Sequence, residues 1–206
     1  MGDLRSCQHP WFARLYVRLS QAAERGGADA HRDRLLTGLH GRVLELGAGN
    51  GLNFKHYPDT VTEVLAVEPD DLLRAHAETA AGNADIPIHV IAGHADALAV
   101  EAGSYDAVVA SLVLCSVPDP ASALVALRGA LRPGGELRFY EHVRSDRPWI
   151  GRAEDLLDPL WSRVAGGCHP NRDTLGAISA AGFQITDVEH FRFGLQHVLG
   201  RATSQR

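Results

Sequence analysis

Along this chain, short runs of consecutive apolar residues alternate with longer stretches whose apolar positions recur every three to four residues. The runs are Val43-Leu44 with Leu46, Val64 to Val67, Ile86 to Ile91, Tyr105 to Leu114 and Glu136 to His142. Each has strand length, and the Tyr105 to Leu114 run is almost unbroken, as a strand buried on both faces requires. Between them lie helix signals. Asp70 or Asp71 can cap a helix carrying Leu72, Leu73 and Ala75 that Gly82 stops. Asp119-Pro120 opens another that runs to Leu131 and halts at Arg132-Pro133-Gly134-Gly135.

Ahead of the first run, Trp11, Phe12, Leu15, Tyr16, Leu19, Ala22 and Ala23 form a stripe at helical spacing. It predicts an amphipathic helix over Pro10 to Arg25, ended by Gly26-Gly27, with a second helix from about Asp29 to Leu39. After His142 the alternation breaks. A polar loop reaches Gly151, and a stripe of Leu156, Leu157, Leu160, Trp161 and Val164 follows around Asp158-Pro159, where a kink or a second start is expected. Asn171 is placed to cap a helix reaching Ala181, with Gly182 beyond its end. Phe183 to Phe191 and Phe193 to Leu199 read as two strands paired through Gly194.

Strand–helix repetition of this kind predicts an α/β fold, a Rossmann-like doubly wound, mostly parallel sheet with helices on both faces. The 206 residues suit one domain with ample core. Within it, residues 8–39 read either as helices packed on the sheet or as a lid, and residues 143–170 as an insertion after the fifth strand.

Composition narrows the class. Hydrophobic residues at 45% and charged residues at 22% exclude a disordered chain. A net charge of −5 argues against nucleic acid as a general partner, since phosphate binding needs basic surface. Lys55 is the sole lysine among many arginines, a coding bias that suggests a GC-rich bacterial genome. The longest apolar stretch, Ala107 to Val117, is too short to cross a bilayer, and the first residues carry no signal-peptide pattern. Three scattered cysteines, Cys7, Cys115 and Cys168, fit a reducing compartment, so the cytoplasm is the expected location.

The chemistry centres on Gly41 to Asn53, GRVLELGAGNGLN. A strand leads into glycines on alternate positions, Gly47, Gly49 and Gly51, and helix-compatible residues resume at Leu52. Such a turn lets a backbone approach a nucleotide-like ligand closely. The spacing is not the G-x-G-x-x-G of a dinucleotide site, and Glu45 at the strand end would repel a pyrophosphate. A cationic ligand end suits it better. S-adenosylmethionine (SAM) carries an ammonium and a sulfonium and no phosphate. Glu68, in the Glu68-Pro69-Asp70 segment closing the second strand, is placed to accept hydrogen bonds from ribose hydroxyls. Asp96, in the loop after the third strand, could face an adenine edge. Gly47, Glu68, Asp96, Ser111 and His142 all fall at or just beyond strand ends, where ligands of such sheets bind.

Taken together, ELGAGNG, the AVEPD acid, the Asp96 loop, SLVLCSVPDP and LRPGGELRFYEH resemble, in order, the motifs of class I SAM-dependent methyltransferases. The resemblance covers Gly41 to His142. It implies a seven-stranded sheet whose last strand is antiparallel. It also implies SAM as cofactor, held by Glu45, Gly47, Ala48, Gly49, Gly51, Asn53, Glu68 and Pro69. The adenine would lie near Ala95 and Asp96, and the methionine near Ser111 and Leu112. NFKHYP at Asn53, LVLCSV at Leu112, YEHV at Tyr140, LDPLW up to Trp161 and GGC at Gly166 resemble the thiol S-methyltransferase branch. Its animal members are membrane-associated through an N-terminal hydrophobic anchor with no counterpart here, and bacterial members S-methylate reduced dithiols of natural products.

Methyl transfer from a sulfonium is an in-line displacement, so the protein's main task is alignment of nucleophile and methyl carbon. A thiol with a free pKa of about 8.5 is already partly ionised and needs little general-base help. A phenol or alcohol needs more. His142 is the best candidate base, with Glu141 beside it to orient it; the alternative is a histidine held for shape. Cys115 reads as a small buried residue. Cys168-His169 lacks further ligands at useful spacing, so no metal is expected. Tyr16, Trp149, Trp161 and His169 are candidate walls of an acceptor pocket. The expected substrate is a small apolar thiol or dithiol. A methyltransferase acting on oxygen, nitrogen or carbon of a quinone, phospholipid or other metabolite, and a non-catalytic SAM-binding protein, remain alternatives.

Overall fold

A computed structural model describes residues 4–94, 98 and 100–204. The apolar runs become the centre of a seven-stranded sheet in the order β3-β2-β1-β4-β5-β7-β6. The strands are β1 (Gly41–Leu46), β2 (Val61–Val67), β3 (Ile88–Ile91), β4 (Tyr105–Ser111), β5 (Leu131–His142), β6 (Phe183–Phe193) and β7 (Leu195–Ser204). β1 pairs in parallel with β2 and β4, β2 with β3, and β4 with β5, whereas β7 runs antiparallel between β5 and β6. The predicted mostly parallel sheet with an antiparallel last strand is what forms.

Alternation along the strands divides the core between two faces. Leu44, Leu46, Val108, Ala110, Leu137 and Phe139 pack on one side with Leu124, Leu127 and Ile178. Val43, Val64, Ala66, Ala107, Val109 and Tyr140 pack on the other with Leu35, Leu36 and Ala77. Consecutive strand residues therefore go to opposite cores, and both faces of β4 are dry. The first core is covered by α4 (Pro120–Ala130) and α6 (Thr174–Ala180), the second by α2 (Asp29–Leu36) and α3 (Asp71–Ala81).

Several local expectations change. No α-helix follows the glycine turn at Leu52: a single 3-10 turn, Phe54–His56, is all that fits. Pro58 disfavours helical backbone at Tyr57, and β2 begins at Val61. Asp70 rather than Asp71 caps α3, accepting from the N–H groups of Leu72 and Leu73. Asp173, not Asn171, caps α6 by accepting from Gly176. β4 stops at Ser111 because Leu112 turns into the left-handed region at φ 56°. β7 extends past Leu199 to Ser204.

α1 (Pro10–Ala23) and α5 (Pro148–Val164) differ from the rest. α5 is one helix with Pro159 inside it and no second start. Its apolar stripe does not enter the core: Leu156, Leu157, Leu160 and Val164 are all exposed, Leu156 at 81%. On α1, Trp11 and Leu19 are likewise exposed, while Phe12 and Tyr16 are half-buried.

Candidate active site

The glycine turn is built by the ends of β1 and β2. The N–H groups of Gly47 and Ala48 both donate to the Val67 carbonyl, at 2.8 and 3.1 Å, which folds the turn over the neighbouring strand. Gly47, Gly49 and Gly51 take φ of 67°, 58° and 78°, a region that side chains rarely adopt. A Cβ at Gly47 would run into the Val113 side chain, and one at Gly51 would lie 2.7 Å from Ala80.

Glu68 closes the turn from the β2 side. Its Oε2 accepts the Gly49 N–H at 2.8 Å and its Oε1 the Asp70 N–H at 3.0 Å. Asp70 also accepts the His9 N–H at 3.0 Å, and the Gln8 side chain donates to the Pro69 carbonyl at 2.8 Å. The chain just before α1 is thereby tied to the end of β2. That anchoring brings Tyr16 over Gly49, where an added Cβ would sit 3.5 Å from the phenol, and Phe12 against Gly166. α1 thus spans from the glycine turn to the loop that carries Cys168.

Glu45 does not face an open site. It is buried, and its carboxylate accepts from Tyr57 Oη at 2.8 Å and from Asn53 Nδ2 at 2.6 Å. Asn53 Oδ1 in turn accepts from Arg32 Nη1 at 2.7 Å, and the same nitrogen reaches Ser111 Oγ at 3.2 Å. Arg32 Nε donates to Glu24 at 2.8 Å. One buried guanidinium therefore links α2, the glycine turn and the end of β4. Arg32 and Tyr57 are site-positioning residues that the sequence reading missed. For Arg32 a signal existed: it interrupts the apolar stripe Ala28, Leu35, Leu36 and Leu39 at helical spacing, and a charge on a buried stripe needs partners.

At the carboxyl ends of β4 and β5 the expected pair separates. Glu141 neither orients His142 nor faces water. Fully buried, it accepts the N–H groups of Val113, Leu114 and Cys115 at 3.0, 2.8 and 3.1 Å, and so clamps the segment after Leu112. His142 Nδ1 lies 3.5 Å from Cys115 Sγ and 3.5 Å from Cys168 Sγ, and the two sulfurs are 3.6 Å apart. This three-membered cluster assembles residues from three distant segments.

The acceptor-wall candidates do not converge. Trp161 and Ser116 lie against the Cys168 sulfur. Trp149 sits twelve residues earlier on α5, about 18 Å along a helix axis, and is 70% exposed. It does not share a small pocket with Trp161. The His169 imidazole turns to Asp158, at 2.8 Å, while its backbone N–H donates to the Cys115 carbonyl at 2.8 Å. Ala95 and Asp96 lie outside the described residues. A surface cleft of about 410 Å³ on the β3 edge, lined by Glu78, Ile88 and Ile91 among others, contains none of the candidate residues.

A methyltransferase-domain family matches residues 44–139. The thiol S-methyltransferase TMT1B of Homo sapiens is 34% identical over 181 residues, which take in 81% of this chain and 73% of that protein. TMT1A of Homo sapiens, also a thiol S-methyltransferase, is 30% identical over 204 residues, covering 93% and 82%. The chain belongs to the class I SAM-dependent methyltransferases. The fold of the methyltransferase agrees: the S-adenosylmethionine-dependent methyltransferase of Mesorhizobium loti superposes with a TM-score of 0.65 at 22% identity, covering 90% of this chain and 99% of that one.

The residues present fit SAM. The polar partners of the glycine turn are a carboxylate and a carbonyl, which suit hydroxyl donors and a cationic cofactor and would oppose a phosphate. Burial pushes both Glu45 and Glu68 from the usual 4.5 up to about 7. Both carboxyls hold protons more tightly in the ligand-free fold than in the unfolded chain. Their contribution to stability is therefore full below about pH 4.5 and is lost as pH rises through 7. Cofactor binding runs the other way, because hydroxyl and cationic groups favour the ionised carboxylate. Affinity for SAM should weaken about tenfold from pH 8 to pH 6, as one such group takes up a proton. Equilibrium dialysis across that range checks it, and a flat profile would mean that neither acid responds to the cofactor.

Proposed function

We propose that this methyltransferase acts on the sulfur of a small apolar thiol or dithiol. The observation that carries the reading is the likeness to two thiol S-methyltransferases across most of both chains. When bound, SAM supplies a methyl group on a positively charged sulfur, and thiol plus SAM give thioether, S-adenosylhomocysteine and one proton.

In this reading Glu68 and the backbone of Gly47 to Gly51, with Pro69 beside them, hold the ribose end. Ser111 and Leu112 border the methionine end, and Ala95 and Asp96 the adenine. Glu45 acts through Asn53 and Arg32, fixing the floor of the site by the bonds described above. α1 serves as a lid, its Tyr16 over the glycine turn and its Phe12 on the Gly166 loop. The segment of residues 143–170 shapes the acceptor side through Trp161. Exposed apolar side chains on α1 and α5 support an apolar acceptor rather than a charged one. His142 Nδ1 faces the protein's own sulfurs. A direct base role would fall to Nε2, and a thiol acceptor asks little of it.

Among the described residues no helix is long and apolar enough to cross a membrane. Cys115 and Cys168 form no disulfide although their sulfurs stand 3.6 Å apart, which supports a reducing setting such as the cytoplasm.

The test is a panel of aliphatic thiols and dithiols against size-matched phenols, amines and alcohols, read as S-adenosylhomocysteine formed. Thiols should exceed every other class at least tenfold. Turnover of phenols with none of thiols would replace this reading with an O-methyltransferase. Tight SAM binding with no turnover on any acceptor would leave only a binding protein.

A further inference from the structure

We infer that Cys115, His142 and Cys168 form a three-ligand zinc site whose open fourth position takes the acceptor sulfur. The second half of this inference rests on the thiol reading above; the metal site itself does not.

Geometry is the ground for it. A tetrahedral zinc with Zn–S of about 2.3 Å and Zn–N of about 2.0–2.1 Å sets its sulfurs about 3.8 Å apart and each sulfur about 3.6 Å from the nitrogen. The three donor atoms here stand 3.6, 3.5 and 3.5 Å apart, one face of such a tetrahedron. All three fall in one group within 4.8 Å, with both cysteines buried. A disulfide needs sulfurs about 2.05 Å apart, so the pair would have to close by about 1.5 Å, whereas zinc needs almost no movement. Simple hydrogen bonding also explains the cluster less well. One thiol donating to Nδ1 satisfies that nitrogen, and Cys168 Sγ can donate to Cys115 Sγ, but such a chain of bonds does not call for the second sulfur to stand at the same distance from Nδ1 as the first.

The donors are held in place from behind, as a metal site requires. Three N–H bonds to Glu141 fix the backbone that carries Cys115. The His169 N–H to Cys115 carbonyl bond locks the Cys168 loop onto that same segment. The His142 ring lies 4.5 Å from the His197 ring, which restricts its rotation. Two cysteines and one histidine are a soft set that suits zinc over magnesium or calcium, and three protein ligands leave one position free. The cluster sits at the carboxyl ends of β4 and β5, beyond Ser111, on the edge of the sheet that carries the glycine turn. A thiol entering the fourth position releases its S–H proton to solvent and is held as the thiolate. That removes the need for a catalytic base.

The experiment uses the full chain under a phosphine reductant, loaded with zinc sulfate and desalted, with metal counted by mass spectrometry. One zinc per chain is expected, falling below 0.2 per chain (roughly a fivefold loss) in Cys168→Ser. Cobalt(II) in place of zinc should give sulfur-to-metal charge-transfer absorption, and adding propanethiol should shift its visible bands. The wild-type cobalt spectrum needs no variant, so misfolding of Cys168→Ser cannot decide the question. Substoichiometric zinc, a cobalt spectrum without charge transfer, or a Cys115–Cys168 disulfide in protein isolated without air would overturn the site. Stoichiometric metal with no response to propanethiol, or full thiol methylation by metal-free protein, would overturn the acceptor half and leave the thiol reading intact. Stoichiometric metal in a protein that methylates phenols alone would remove the thiol reading and keep the metal.

Discussion

Replacing Arg32 by alanine is expected to lower stability by about 3–5 kcal/mol, the range for removing one partner of a buried ion pair. Both members of its pair with Glu24 are shielded, with side chains 7% and 10% exposed. The guanidinium also supplies the hydrogen bonds that Asn53 and Ser111 receive. Without it, the cation left beside Glu24 is Lys55 at 3.9 Å, and Asn53 loses the donor that aims it at Glu45. In a chain of this length the change should lower the melting temperature by roughly 10 °C. A double variant separates stability from site geometry. Replacing Glu24 and Arg32 together by methionine removes the unpaired charge, so much of the stability should return. SAM affinity should not return with it, because Asn53 and Ser111 still lack their donor. Calorimetry read beside equilibrium dialysis makes the comparison, and recovery of both quantities together would show that Arg32 supports the fold alone.

Arg32 also marks where the sequence stops being legible. The strands of the sheet centre could be read because each is a nearly continuous apolar run, and both faces of β4 are indeed buried. The glycine turn could be read because its conformation excludes other residues. Gly47 to Gly51 take positive φ, and Val113 and Ala80 occupy the space a side chain would need. Partners brought together by folding were not legible. Glu45 looked like a ligand acid from its place before the glycines, yet its two oxygens go to Tyr57 and Asn53, which no local pattern links to it. Glu141 looked like a partner of His142 because it is adjacent. On a strand, adjacent side chains point to opposite faces, so that adjacency counts against a shared role.

The cysteines failed for a related reason. Cys168-His169 invited a metal reading as a dipeptide, and no third ligand followed in sequence. In the fold His169 pairs with Asp158, and Cys168 meets Cys115 and His142 instead. Those come from the segment after β4 and from the end of β5, 53 and 26 residues away. Sequence spacing reveals a metal site when one loop supplies the ligands; a site collected from neighbouring strand ends has no such spacing. α5 shows the converse. Its stripe correctly predicted a helix, but periodicity does not state which way the apolar face turns, and here it turns outward.

Glu68→Ala is expected to weaken SAM binding by ten- to 150-fold, the equivalent of one hydrogen bond to a charged group at about 1.5–3 kcal/mol. The carboxylate is buried and already accepts the Gly49 and Asp70 N–H groups, which leaves lone pairs for ribose hydroxyls at the end of β2. Alanine would remove that acceptor and also release the Gly49 N–H, so a loss of affinity alone does not separate contact from turn collapse. The melting temperature of the ligand-free variant separates them: a collapsed turn lowers it along with affinity, whereas a lost ribose contact lowers affinity alone. Glu68→Gln has one acceptor oxygen for the two N–H groups and turns its NH2 group on the other, so it should lose affinity by an intermediate amount. S-adenosylhomocysteine then identifies which part of the cofactor is felt. It shares the ribose with SAM and lacks the positive sulfur. If Glu68 holds the ribose, Glu68→Ala should weaken both ligands by the same factor. A loss confined to SAM would mean that the carboxylate acts on the sulfonium charge, and the ribose would have to be assigned to other residues.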